Sequence, residues 1–374
     1  MYYEKIGADK IAVKAKASEI LGKMTLKEKA LLVTGKYTVF KNAYLSIIRK
    51  KGGFYNPTPI QTYGCSRLGV EPVGFSDGPR GVTMGFATCF PVSMARGASF
   101  DRDLERAVGD VIGKEVRAFE GGNLFAGICI NLLRHPAWGR AQETYGEDPY
   151  HVGEFGLALT EQVQAHKVMA CIKHYALNNI ENSRFRVSVS ADERTLHEVY
   201  LPHFRKCVVQ GGAASLMGAY NRFEGDYVCE SKTLMTDILR DKWGFEGFTL
   251  SDFFFGIRNG VKALKAGMDV EMPGPFHYHT RLVDYTKAGE LDEEVLNTSA
   301  RRVLEATLAF TEGADHKRYS RDLVSCPEHV SLARRVAEES MVLVKNEGDV
   351  LPLKKSVRKL LVVGDFAKTA NLGD

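Results

Sequence analysis

The sequence predicts an α/β fold of the (β/α)8 type: a parallel barrel wrapped by helices. Three observations carry that expectation. Short apolar, β-prone runs end in a polar residue, and each is followed by a loop and then an amphipathic helical stretch. The runs are almost continuously apolar rather than alternating, as strands covered on both faces should be. Six such units fall within roughly 290 residues, a size that suits a barrel better than an open doubly wound sheet.

The strand candidates, in order, are VGFSDG (73–78), LFAGICIN (124–131), VMACIKH (168–174), AASLMGAY (213–220), FTLSD (248–252) and GMDVEM (267–272). Between them, 104–119 places Leu104, Val108, Val111, Ile112 and Phe119 on one helical face, with Glu115 as a polar exception. The stretch 231–244 opens on Ser231 as a cap candidate and closes on Gly244. A helix pair is expected near 327–345. LLVV (360–363), followed by Gly364-Asp365, reads as the first strand of a further α/β unit. One strand cannot make a domain, so this tail implies either the rest of a second domain or docking on the barrel edge or a partner.

The chain has 374 residues, 44% hydrophobic and 26% charged, and its net charge of +4 is a small difference between 50 basic and 46 acidic residues. That balance argues against a nucleic-acid partner. Seven cysteines without a CxxC pair argue against a disulfide framework or structural zinc, and most sit among apolar neighbours as small buried thiols. The N-terminal segment lacks the apolar core of a signal peptide, and no stretch is long and apolar enough to span a membrane; a reducing, cytoplasmic setting is expected. GxGxxG, GxxxxGK[ST] and HEXXH are all absent, so no cofactor or metal is expected.

In such barrels the chemistry gathers at the C-terminal ends of the strands. The polar residues closing the runs are Asp77, Asn131, Lys173 with His174, Tyr220 and Asp252, and the loop after Asn131 adds Arg140 and Glu143. Each alone has an ordinary structural explanation as a cap, an ion-pair partner or a core layer. Together they offer carboxylates, cations and aromatic rings on one rim, a mixture suited to a polyhydroxylated substrate. A retaining glycosidase needs an ionised carboxylate nucleophile and a second carboxyl as acid/base about 5–5.5 Å away. Asp252 lies in GFEGFTLSDFFFG (244–256), and Lys173 and Arg140 are expected to hold its pKa down.

These residues stand in motifs that resemble glycoside hydrolase family three, the β-glucosidase group, from about residue 20 onward. SDGPRGV (76–82), WGRAQETYGEDPYHVGE (138–154), KHYALNN (173–179), SADERTLHEVYLPHF (190–204), MGAYN (217–221) and GFTLSDFFFG occur in the family's order. The resemblance implies that Asp77, Arg140, Lys173 and His174 hold the non-reducing sugar. Met217 and Tyr220 line the subsite, and Asp252 is the nucleophile. It further implies a barrel over 1–312, a linker with helices over 313–357, and the start of an incomplete α/β sandwich domain over 358–374.

Three departures stand out. Ala141-Gln142 precede Glu143 where the family has Asn-Phe, and Phe253 replaces the family's Trp. The family's acid/base Glu, carried by its second domain, has no counterpart in the sequence, and 173–185 has no second His that could substitute. The expected function is therefore a retaining hydrolase of terminal β-D-glucosyl or related residues, with the acid/base supplied by a further domain or a second chain. The alternatives are a catalytically impaired sugar-binding barrel or one half of a split glycosidase. A barrel using Lys173 as a Schiff base is a third reading, which leaves Asp77 and Asp252 without a role.

Overall fold

The computed structural model describes residues 2–37, 58–311 and 318–367. Its strands are β1 (Ile60–Gln61), β2 (Gly74–Ser76), β3 (Leu124–Cys129), β4 (Met169–Tyr175), β5 (Ser188–Val189), β6 (Ser215–Gly218), β7 (Arg222–Phe223), β8 (Asp226–Tyr227) and β9 (Phe248–Ser251). The main sheet runs β1-β2-β3-β4-β6-β9 and curls; β5, β7 and β8 form a small separate sheet. From β2 to β9 every neighbour in the main sheet is parallel, as the apolar runs predict.

The register fixes where the strands end. Cys129 pairs with Lys173, Tyr175 with Gly218, and Gly218 with Ser251. The polar residues that follow these positions therefore share one rim.

Two sequence expectations change here. GMDVEM (267–272) forms no full strand: single bridges join Leu250 to Val270 and Thr34 to Glu271. The two-residue β1 runs antiparallel to β2, and Thr62 bridges Gly35. The part of the structure that carries these bridges is thus the least regular.

Helices cover the outside of the sheet. Arg102–Ala118 starts at Asp101, whose carboxylate accepts from the Asp103 and Leu104 amides. Glu115, the polar exception on its apolar face, is buried because it has four donors: the Thr88 amide (2.9 Å) and hydroxyl (2.5 Å), the Ser325 amide (3.0 Å) and His329 Nδ1 (2.8 Å). The expected helix at 231–244 is Thr233–Lys242; it is wound wide, with the Trp243 amide donating to the Ile238 carbonyl, and Gly244 turns the chain at φ 69°.

After the sheet and its covering helices, one helix, Pro327–Glu339, replaces the expected pair. His329 binds it to Glu115, and Tyr319 reaches His166 Nδ1 at 3.1 Å. Leu360–Val363 form no strand among the described residues, and Leu361 is 87% exposed. A strand needs a neighbour to pair with. The boundary expected at 312/313 lies outside the described residues.

The loop after β2 is held from below by a buried ion pair. Arg96 and Glu105 are each 1% exposed, and Arg96 Nε meets Glu105 Oε2 at 2.8 Å. Arg96 Nη1 also donates to the Pro79 and Pro91 carbonyls at 2.9 and 2.7 Å, and the Tyr145 hydroxyl donates to Glu105 Oε1 at 2.6 Å. Removing one partner strands a buried charge, at a cost of about 3–5 kcal/mol. Arg96→Leu is therefore expected to lose about that much stability in urea unfolding, and Arg96→Leu/Glu105→Leu is expected to lose less. Equal losses would show that the unpaired Glu105 is not the source.

Candidate active site

The rim brings Asp77, Lys173, His174, Tyr220 and Asp252 together, with Lys173, His174 and Asp252 buried and Asp77 partly exposed. Asp77 follows β2; its Oδ1 accepts from Lys173 Nζ at 2.6 Å and from the Gly78 amide at 2.8 Å. Lys173, on β4, is buried. Burial alone would strip its proton, but the Asp77 carboxylate and other anionic neighbours outweigh that and raise its pKa. Lys173 is an ammonium here, which removes the nucleophilic amine that a Schiff base requires.

Arg140 lies in the loop after β3. Its Nε and Nη2 grip Glu143 at 3.0 and 2.7 Å, a two-pronged pair. Burial pushes the Glu143 pKa up, but Arg140 more than reverses this and the net shift is down. The Cys129 thiol also donates to Glu143 Oε2, at 3.3 Å. Glu143 thus takes up two of Arg140's three nitrogens, and Nη1 has no hydrogen bond among the described residues.

His174 is neutral. Burial, then the charges of Arg140, Lys173 and Arg184, drive its pKa well below the usual imidazole value. Asn131 Oδ1 accepts from the His174 amide at 2.8 Å and lies 3.3 Å from Nδ1. An acceptor there places the ring proton on Nδ1 and leaves Nε2 as a lone-pair acceptor. Nε2 is 3.7 Å from Asp252 Oδ2, and two acceptors at that distance form no bond.

Asp252 directly follows β9. Oδ1 accepts from the Phe253 amide at 2.7 Å, while the buried Oδ2 has no hydrogen-bond partner among the described residues. The Tyr220 hydroxyl donates to the Phe253 carbonyl, at 2.7 Å, and stands beside the Asp252 carboxylate as well. Burial raises the Asp252 pKa; Arg140, Lys173, the Phe253 amide and Tyr220 oppose it without reversing it. This corrects the sequence expectation. The cations do pull downward, but each is already committed to a nearer carboxylate.

The turn after Asp252 is tight. A Cβ on Gly256 would sit 2.6 Å from the Asp252 carbonyl oxygen, so glycine is required for the close approach. Phe254 is held at φ 65°, a left-handed conformation costly for an aromatic residue. Ring contacts restrain it: Phe254 meets Tyr37 at 5.9 Å and Phe276 at 5.8 Å, while Phe253 packs on Phe75 at 4.8 Å. Phe253 therefore supplies an aromatic ring next to Asp252 in the chain, but no side-chain N–H.

Met217 is a buried β6 core residue and makes no polar contact with the charged cluster among the described residues. Sequence reasoning missed Arg184, whose guanidinium lies 4.7 Å from the Tyr220 ring centre and pairs with Glu181 at 2.6 Å. Nothing in the residue order signals that contact, because the loop carrying Arg184 folds back across the rim.

The family model described as the glycosyl hydrolase family 3 N terminal domain matches residues 67–306. The chain is similar to thermostable beta-glucosidase B of Acetivibrio thermocellus, 35% identical over 366 residues, covering 94% of this chain and 44% of that protein. It is 34% identical to a beta-glucosidase of Rhizobium radiobacter over 95% of this chain and 41% of that one. Among solved structures, beta-glucosidase 3B from Thermotoga neapolitana in complex with glucose superposes with a TM-score of 0.82 at 32% identity, over 91% of this chain and 48% of that chain. DesR, a beta-glucosidase from Streptomyces venezuelae in complex with D-glucose, gives 0.80 at 29% identity, over 91% and 43%. The chain spans less than half the length of the curated relatives it matches. With its parallel sheet, its rim of paired charges and a family match over most of its length, this chain belongs to glycosyl hydrolase family 3.

Proposed function

We propose that this chain provides the sugar-binding and nucleophilic half of a retaining β-glucoside hydrolase, with Asp252 as the attacking carboxylate. The observation that carries this reading is the unsatisfied Oδ2 of Asp252, a buried carboxylate oxygen facing a cluster whose cations are taken by other acids. Such a group is costly unless a ligand uses it. Asp77 and Lys173 offer an acceptor and a donor for a pair of sugar hydroxyls, His174 Nε2 offers a further acceptor, and Arg140 Nη1 a further donor.

In the reaction, Asp252 Oδ2 forms a bond to the anomeric carbon as the glycosidic C–O bond breaks, and water then cleaves the glycosyl ester. The departing oxygen needs a proton. Asp77 is ion-paired and Glu143 is held ionised by Arg140, so neither suits as donor. Glu271 is raised to about 7 by burial, but both its oxygens accept backbone amides from Phe276, His277 and Tyr278, so it braces that loop. On this reading the proton comes from a further domain or a second chain. The relatives' greater length and the exposed apolar tail, including Val344 and Leu361, support that reading. The same reading treats the curled sheet as a closed (β/α)8-type barrel; the bridges through 270–271, 34–35 and 62 support it.

Asp252→Asn is expected to lower hydrolysis of a dinitrophenyl β-D-glucoside by roughly 10⁴-fold or more while glucose still binds. Wild-type turnover in that variant would remove Asp252 from the role, and glucose binding without any turnover by the parent chain would favour a binding protein.

The pH dependence has a definite sign. Attack requires ionised Asp252, whose pKa is raised, so the acidic limb of kcat/KM should lie above the range of an ordinary aspartate. Because the folded-state pKa exceeds the unfolded one, stability falls as pH rises through that window, and the penalty is complete above it. Asp252→Asn should therefore raise Tm at neutral pH and leave it unchanged below the window; a fall in Tm at neutral pH would contradict the assignment of cause.

A further inference from the structure

Close to Asp252 in the chain and to Tyr220 in space, an open cavity of about 500 Å³ is lined by Phe185, Arg186, Tyr227, Phe255 and Arg258. It joins the candidate site through two links. Phe255 lies three residues after Asp252, and the Phe185 ring packs on Tyr220 with centres 4.8 Å apart. The small sheet builds its floor: Phe185 and Arg186 precede β5, and Tyr227 lies on β8.

The lining has an unusual composition for an exposed surface. It holds three aromatic rings and two arginines but no carboxylate. Arg184 next door is paired with Glu181, whereas neither Arg186 nor Arg258 has an ion-pair partner among the described residues. Arg258 instead lies 5.2 Å from the Tyr227 ring centre and 5.4 Å from that of Phe255, stacked between the two. The floor is pinned, since Arg222 Nη2 donates to the Tyr227 hydroxyl at 3.0 Å and that hydroxyl donates to the Phe185 carbonyl at 3.3 Å.

The ring geometry narrows the ligand. Phe185 and Phe255 meet at 64° with centres 5.1 Å apart, which makes a corner rather than a flat platform. A planar aromatic ring fits such a corner edge-to-face. Guanidinium groups without an acid partner complement a carboxylate, which they can bind through two parallel N–H donors.

We infer that the Phe185–Phe255–Arg258–Arg186 corner is a leaving-group subsite for an aromatic acid, so that the favoured substrates are β-glucosides of carboxylated phenols. The inference rests on the β-glucoside reading for the leaving group's orientation, whereas the subsite's chemistry stands on its own lining.

The test is calorimetric titration of the full chain with two non-hydrolysable probes, 4-carboxyphenyl and 4-carbamoylphenyl 1-thio-β-D-glucoside, which differ in charge but hardly in shape. The acid is expected to bind roughly tenfold more tightly than the amide at low salt. That preference should vanish in Arg186→Gln/Arg258→Gln, with glucose affinity unchanged. Equal affinities in the parent chain, or a preference that survives in the double variant, would overturn the proposal. If glucose and both thioglucosides fail to bind, the β-glucoside reading fails. In that case the pair 4-hydroxybenzoate and 4-hydroxybenzamide decides the subsite alone: an arginine-dependent preference for the acid supports it, and its absence overturns it.

Discussion

The rim depends on how a few buried charges are shared. Lys173 and Arg140 bring two cations into a region with little water, and Asp77, Glu143 and Asp252 bring three carboxylates. Buried charges are tolerated when paired, and the pairing here is uneven. Asp77 takes Lys173 at 2.6 Å and Glu143 takes Arg140 in a two-pronged grip. Asp252 is left with one backbone amide and the longer-range field of the same cations. His174, whose pKa is lowered first by burial and then by those cations, adds no positive charge. The outcome is a carboxylate that is destabilised in its resting state but positioned by rigid strand ends, the state in which binding a ligand brings the greatest relief.

Much of the rest of the structure serves that placement. Parallel register carries five strand ends to the same height. The Arg96–Glu105 pair fixes the Pro79 and Pro91 carbonyls in the loop behind Asp77. Asp269, fully buried, accepts from Arg240 at 2.6 Å, Arg302 at 3.0 Å and the Thr249 amide at 2.9 Å, and so ties the start of β9 to the covering helices. The strained Phe254 is tolerated because aromatic neighbours surround it.

Five of the six apolar runs were legible as strands because a strand covered on both faces leaves a plain compositional mark. The sixth, GMDVEM, carries the same mark but pairs only through single bridges, since its neighbours at 34–35 are themselves short. Asp77, Lys173, His174, Tyr220 and Asp252 were legible as strand-end polar residues. The pKa of Asp252 was not: counting nearby cations predicted a fall, but residue order does not reveal that Asp77 and Glu143 had already engaged them. Arg96 was not singled out by the residue order, and only tertiary structure shows it buried. LLVV has strand composition but no partner among the described residues, because pairing is a property of neighbours and not of the segment.

The central claim, that Asp252 is the attacking carboxylate, is tested most directly by trapping. A 2-deoxy-2-fluoro-β-D-glucoside with a dinitrophenolate leaving group needs no proton donor for the first step, and the fluorine slows hydrolysis of the ester. Peptide mapping by mass spectrometry after incubation should find the sugar bound to Asp252. A label on Asp77 or Glu143, or release of dinitrophenolate with no covalent label on the chain, would contradict the account.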